Sequence, residues 1–307
     1  VTIARAVLLR ASRSRFLADQ LGRRRFIRRA VRRFMPGEEL GAALEAAGRF
    51  ASRGIGTVFT QLGENVTTRG QAEAVLDHYL GLLDRLRARA LPAQVSVKLT
   101  HLGLDIDADA CERAVRALAE RAADAGSFVW IDMEDSSYTD RTVALYERLR
   151  PSHPSLGLCL QAYLRRTAAD LDRLAALVPA VRLVKGAYAE PKEAAFPRKR
   201  EVDAAYVALA ERLLALAARG AAMPVFGTHD AGLIARIRAR AGARAVPPRS
   251  YEFHLLYGIR EPQQRDLARE GERVRVLISY GTAWFAWYVR RLAERPANIG
   301  FVLRNLL

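Results

Sequence analysis

Lysine is scarce in this chain. Of 49 Lys plus Arg residues only four are lysine: Lys98, Lys185, Lys192 and Lys199. Arginine serves almost everywhere else a cation is wanted, so a lysine at the end of an apolar run calls for a reason. Cysteine is scarcer: Cys111 and Cys159 belong to no CxxC or other metal-spaced set, which fits a reducing compartment. His229 likewise has no second His or Cys at ligand spacing, so no metal site is expected. Long apolar runs are missing too. The most apolar late run, "TAWFAWYV", falls far short of the roughly 18 residues a membrane span needs. The N-terminus shows no signal-peptide pattern. These absences lead us to expect a soluble, cytoplasmic protein with at most a peripheral contact on the inner face of a membrane. Acidic residues are too few to balance the arginines, and the net charge is +16. The cations are spread along the chain rather than gathered in one tract. No aromatic–basic interleaving of the kind used on single strands occurs, so no nucleic-acid partner is expected.

Half of the 307 residues are hydrophobic, ample for a large core. β-Branched or aromatic runs alternate with longer Ala/Leu/Arg segments of helical period. The strand candidates span 56–62, 94–100, 127–133, 157–163, 180–186, 224–230, 251–257 and 273–281. Between them lie amphipathic segments. One carries Ala72, Leu76, Leu80 and Leu83 on a stripe; a second opens at an Asp cap and closes at Gly126; a third closes at Gly220. Eight β/α alternations predict a (β/α)8 TIM-like barrel over residues 55–307, ending in a helix that bears "WYVRRLAE". Residues 1–54 read as an N-terminal helical extension, Arg-rich in part. An open doubly wound sheet is the alternative, but no GxGxxG opens a helix after a strand.

Function in such a barrel collects at the C-terminal strand ends. The polar residues there are Glu64, Lys98, Asp132, Glu134, Asp135, Gln161, Arg182, Lys185, Thr228, His229 and Asp230, with Glu252 and His254 in the seventh strand. Charges in apolar strands must be paired or solvated, so Lys98, Asp132 and Arg182 read as a buried ionic set. The adjacent Arg290 and Arg291 suit a carboxylate or phosphate, with Glu294 one turn later able to orient the first.

"VSVKLTHLGLDID", "WIDMEDS", "GLCLQAYLRRT", "VRLVKGAYAE", "FGTHD", "YEFHLLYGIR" and "YVRRLAERPAN" together resemble the proline dehydrogenase family in its small monofunctional form. The resemblance runs from about Phe59 to the C-terminus, in order and on the right strands. It implies a distorted (β/α)8 barrel that binds FAD, oxidises L-proline to Δ1-pyrroline-5-carboxylate and passes electrons to a membrane quinone. By resemblance, Lys98, Arg290 and Arg291 hold the substrate carboxylate, Tyr188 and Leu256 line its pocket, and Glu64 pairs with the first arginine as a gate. Asp132 supports the site beside Lys98, and Met133 lies against the flavin. Gln161, Arg182, Lys185, Gly186, Ala187, Thr228 and His229 contact FAD, and Glu294 joins the cofactor set. Asp132 and Arg182 are the residues assigned to catalysis. A cation such as Arg182 near the flavin ring would stabilise its reduced, anionic form.

The chain departs from the family pattern on the ring side of the pocket. Leu277 and Trp287 stand where the small forms carry tyrosines, His254 where they carry glutamine, and Ala189 where an aromatic often follows. These changes keep open the same chemistry on hydroxyproline or another cyclic imino acid. Two other classes stay open on the residues alone. One is a Schiff-base barrel lyase built on Lys98 or Lys185. The other is a basic nucleic-acid module carried by the N-terminal helices.

Overall fold

The computed structural model describes residues 31–285 and 287–289. Eight parallel strands close on themselves in chain order: β1 (Gly56–Gln61), β2 (Ala93–Val97), β3 (Val129–Ile131), β4 (Leu156–Gln161), β5 (Ala180–Val184), β6 (Met223–Gly227), β7 (Glu252–Leu256) and β8 (Val274–Tyr280). The closing pair runs in register from Gly56 with Arg275 to Gln61 with Tyr280. Every expected strand is present, with ends shifted by a few residues. Strands flanked by helices outside and side chains inside are buried on both faces, so they read as apolar runs rather than as alternation.

Among the described residues eight α-helices are α1 (Leu40–Ala51), α2 (Arg69–Ala88), α3 (Ala108–Asp124), α4 (Thr139–Leu149), α5 (Thr167–Leu174), α6 (Lys199–Ala217), α7 (Ala231–Ala243) and α8 (Glu261–Arg269). Local chemistry sets their starts. Thr68 and Gln71 form a reciprocal capping box on α2, and the Asp107 carboxylate accepts from Ala110 N–H at 2.9 Å on α3. The buried face of α2 is Val75, Tyr79, Leu82, Leu83 and Leu86. The expected stripe through Ala72, Leu76 and Leu80 is rotated to its flank, because Tyr79 turns inward to bond Ser96 O at 2.9 Å.

The helix that covers the β1–β8 seam comes from the N-terminal side. α1 packs against both strands, with Ala43, Leu44, Ala46, Ala47 and Phe50 in the main core. The chain after β8 turns at Gly281, whose N–H donates to Glu38 O at 2.9 Å. Trp284, Phe285, Trp287, Tyr288 and Val289 then form a separate cluster with Val31, Met35 and Leu62. Arg290, Arg291, Glu294 and most of the basic N-terminal stretch lie outside the described residues. No described helix is long and apolar enough to cross a membrane.

Inside the barrel Val58, Trp130, Ala180 and Val225 form a plug, with Phe128, Met223 and Leu277 packed on it. The Trp130 ring lies across Gly157, where any side chain would collide with it.

Candidate active site

In a strand every second side chain shares a face, so the interior residues run Ser96 then Lys98, Trp130 then Asp132, Cys159 then Gln161, and Ala180 then Arg182. Sequence therefore delivers a cation or a carboxylate from several strands to the upper part of one cavity. Arg182 is 3% exposed. Its NH2 group pairs with Asp132 Oδ1 and donates to Ser96 Oγ at 2.7 Å, while Ser96 Oγ–H donates to Asp132 Oδ1 at 3.0 Å. The guanidinium carbon also stands 5.2 Å from the Trp130 ring centre, a cation–π contact. Asp132 stays partly accessible while Arg182 is enclosed.

The expected trio of Lys98, Asp132 and Arg182 is split. Lys98 Nζ donates to Glu64 Oε2 at 2.5 Å, from the loop after β1. Lys98 and Asp132 each lie one residue past the ends of the adjacent strands β2 and β3, yet Lys98 turns to the β1 loop and Asp132 to Arg182 within β5. His101, in the turn after Lys98, is buried and packs on Gly63; burial, then the Lys98 charge, lowers its pKa to about 4. Glu134 is buried too. It accepts from Thr100 N–H at 3.0 Å and Oγ–H at 2.6 Å, which ties the loop after β3 to the loop after β2. Burial still raises its pKa.

Gln161 fixes the next loop. Its Nε2 donates to the carbonyls of Met133 and Glu134, each at 3.2 Å, and Met133 is buried beside them. At the end of β5, Lys185 Nζ lies between Asp203 Oδ1 at 2.6 Å and Asp230 Oδ2 at 3.1 Å, with Lys199 also paired to Asp203. Burial opposes ionisation of both aspartates, but the lysine hydrogen bonds outweigh it and hold their pKa values below normal. Asp230 does double duty: its Oδ1 accepts from Gly232 N–H at 3.1 Å and caps α7. Thr228 is buried, and His229 and Tyr188 are half-buried at neighbouring strand exits. Leu256 and Leu277 are half-buried on the facing strands, paired in register.

Glu252 and His254 are not on this rim. Glu252 opens β7 and is 1% exposed at the opposite mouth. It accepts from Arg275 Nε at 2.9 Å, pairs with Arg273 and meets His254 Nε2 at 3.2 Å. The place of Glu252 at the start of the strand and of His254 in its middle, rather than at its end, was the available signal. Sequence reasoning also missed Ser96 and Asp203. A serine two residues before Lys98 in an apolar strand shares its face and marks Ser96; no local signal marks Asp203, which meets Lys185 only through the fold.

Arg182 NH1 and Gln161 Oε1 are among the buried polar atoms at this rim without a hydrogen-bond partner among the described residues. A buried donor and acceptor left open on adjacent strands each cost about 1–3 kcal/mol unless something bonds them. They fit a planar group with both donor and acceptor edges.

A closed parallel eight-strand barrel with paired charges gathered at the C-terminal ends of its strands defines the class of fold. The comparisons make it particular. The proline dehydrogenase family profile matches residues 43–304. Proline dehydrogenase 1 of Bacillus subtilis (strain 168) is 35% identical over 280 residues, covering 91% of each chain. The proline dehydrogenase of Deinococcus radiodurans is 32% identical, covering 99% of this chain and 97% of its own. A crystal structure of proline utilization A (PutA) from Bdellovibrio bacteriovorus, inactivated by N-propargylglycine, superposes with a TM-score of 0.79 at 26% identity. It covers 86% of this chain, which spans only 32% of that longer protein. The chain belongs to the proline dehydrogenase family.

Proposed function

We propose that this chain oxidises L-proline to Δ1-pyrroline-5-carboxylate with FAD as the immediate acceptor and a quinone as the eventual one. The observation that carries the reading is the cross-barrel Asp132–Ser96–Arg182 set with Arg182 NH1 and Gln161 Oε1 left open beside it. Gln161, Arg182, Lys185, Gly186, Ala187, Thr228 and His229, with Met133 alongside and Glu294 from beyond the described residues, would hold the cofactor. When bound, FAD supplies the two-electron acceptor that the side chains lack.

The chain's own residues then have defined tasks. Asp132 and Ser96 fix the Arg182 guanidinium in one orientation, so its open NH1 edge is preorganised and costs nothing to aim during the reaction. Lys98 offers an ammonium to the substrate carboxylate, with Arg290 and Arg291 proposed as the forked half of the clamp. Glu64 neutralises Lys98 in the meantime. Tyr188, Leu256 and Leu277 supply the wall against the ring and exclude water. Clamping the carboxylate places the ring carbon next to nitrogen, from which hydride leaves. In this reading residues 55–307 are the catalytic barrel and 1–54 the helical extension, of which α1 serves as cover for the seam. The basic N-terminal stretch is the part suited to a peripheral membrane contact.

Hydroxyproline or another cyclic imino acid is the competing substrate. Leu277 bears on it: an apolar wall packed on the Trp130 plug gives a ring hydroxyl no partner, which favours unsubstituted proline. A Schiff-base lyase fits less well, because Lys98 and Lys185 both lie against carboxylates, whereas that chemistry needs a free amine. The test is a visible spectrum of the purified protein under anaerobic conditions. The expected result is a flavin spectrum that bleaches with proline and less with hydroxyproline. A protein that stays colourless after FAD is added, or a flavin that proline leaves unbleached, would sink the proposal.

A further inference from the structure

The stretch "KGAYAE" ends in a carboxylate that neither the clamp nor the cofactor cradle uses, Glu190. Its carboxylate is heavily engaged. Oε1 accepts from Ser136 N–H at 2.8 Å and Tyr163 O–H at 3.3 Å, and Oε2 accepts from Ser136 Oγ–H. Ser136 lies in the loop after β3 and Tyr163 in the loop after β4, so one side chain from the β5 loop grips both neighbours. The loop it grips is the one that carries Asp132 and Met133.

Tyr163 does more than donate. Its ring lies against Gly186, where φ is +109° and a Cβ would overlap the ring. A single side chain thus supports the start of the stretch with its face and the end with its hydroxyl. The flanks are pinned by backbone: Tyr163 N–H donates to Lys185 O at 2.9 Å, and Phe196 N–H to Tyr163 O at 2.8 Å. Residues 186–190 therefore arch over Tyr163, and Tyr188 stands at the middle of the arch, two residues before its tie.

We propose that Glu190 is a positioning residue for the reaction: it closes this arch and so sets Tyr188 against the substrate ring. The inference rests on the reading of Tyr188 as part of the proline pocket. A charged group that accepts three hydrogen bonds holds its loop more firmly than a neutral one. Its loss should loosen the wall of the pocket without touching the reacting atoms, so it acts on substrate binding more than on turnover.

Three variants test this in the intact flavoprotein. Glu190→Ala is expected to raise KM for proline about tenfold with kcat within about twofold. Glu190→Gln keeps the shape and some acceptors, and should recover most of that loss. Tyr163→Phe should raise KM by less, and adding it to Glu190→Ala should cost little more, because both act through one arch. Amide hydrogen exchange over 186–190, read without turnover, should quicken in Glu190→Ala. An unchanged KM or unchanged exchange in Glu190→Ala would overturn the inference, as would a fall in kcat with KM intact. A wild type that leaves proline untouched removes the reading beneath it; an active wild type with an indifferent Glu190→Ala removes the inference alone.

Discussion

Two ionic sets of the barrel, one from each mouth, are built differently. At the N-terminal mouth Glu252 on β7 meets Arg275 on the adjacent β8, with Arg273 just before that strand. These bonds tie neighbouring strands. At the C-terminal mouth Arg182 on β5 crosses the cavity to Asp132 after β3 and Ser96 on β2, and leaves NH1 open. Bonds between neighbours lock a barrel; bonds across the cavity hold a charge in place over an opening. The first pattern is what stability needs and the second what a ligand needs, although both consist of one carboxylate and arginine.

The largest effect should come from breaking the lower set. Glu252→Ala leaves Arg275 and Arg273 without their carboxylate and should cost about 3–5 kcal/mol of stability. Thermal denaturation would read this as a fall in Tm of about 10 °C, with KM for proline unchanged within about twofold. A Glu252→Ala protein of normal Tm and poor KM would erase the contrast between the mouths.

The upper set should answer in the opposite way. Asp132→Asn keeps the shape but removes the charge that orients Arg182, and should lower kcat/KM for proline about a hundredfold, or about 2.7 kcal/mol. Its Tm should fall less than that of Glu252→Ala, since Asp132 is partly accessible to solvent and Arg182 keeps Ser96 as a partner. Steady-state kinetics and denaturation of the two variants side by side decide the matter. Equal Tm losses with no loss of rate would make the rim set structural as well.

Legibility in the sequence follows the same division. The eight strands were readable because parallel strands are buried on both faces, and the helices because their apolar period is 3.6. Lys98, Asp132, Gln161, Arg182 and Lys185 were readable as polar interruptions of those runs. Which charges meet was not readable. The sequence offers Lys98 and Arg182 equally to Asp132, and only the folded structure shows Lys98 on Glu64 and Arg182 on Asp132. Asp203 and Glu190 were invisible for a related reason. Each lies on a loop or helix of ordinary polar composition, and its rim partners are 18 to 54 residues away. Glu252 and His254 were taken for the rim because a charge in a strand looks functional whichever end it occupies.

His254 offers the smallest and most specific probe of the comparison. It lies edge-on to Trp130, with ring centres 5.7 Å apart, and bonds to Glu252. Burial lowers its pKa to about 4, against the pull of Glu252, while Glu252 itself is held down to about 2 by His254 and Arg275 in spite of its own burial. A histidine whose folded pKa is depressed takes up a proton first in the unfolded chain. Stability from this group is therefore complete above about pH 6.5 and is lost as pH falls from there toward 4. His254→Gln should cost no more than about 1 kcal/mol at pH 7, where the histidine is neutral in both states. Between pH 6.5 and 4 it should make the decline of Tm shallower than in the wild type. His101 on the rim is depressed to about the same value and stays in the variant, so some slope must remain. If His254→Gln leaves the whole acid slope in place, the sensitivity belongs to other groups such as His101 and His78, whose pKa burial also lowers, and the lower set is not the barrel's pH-dependent lock.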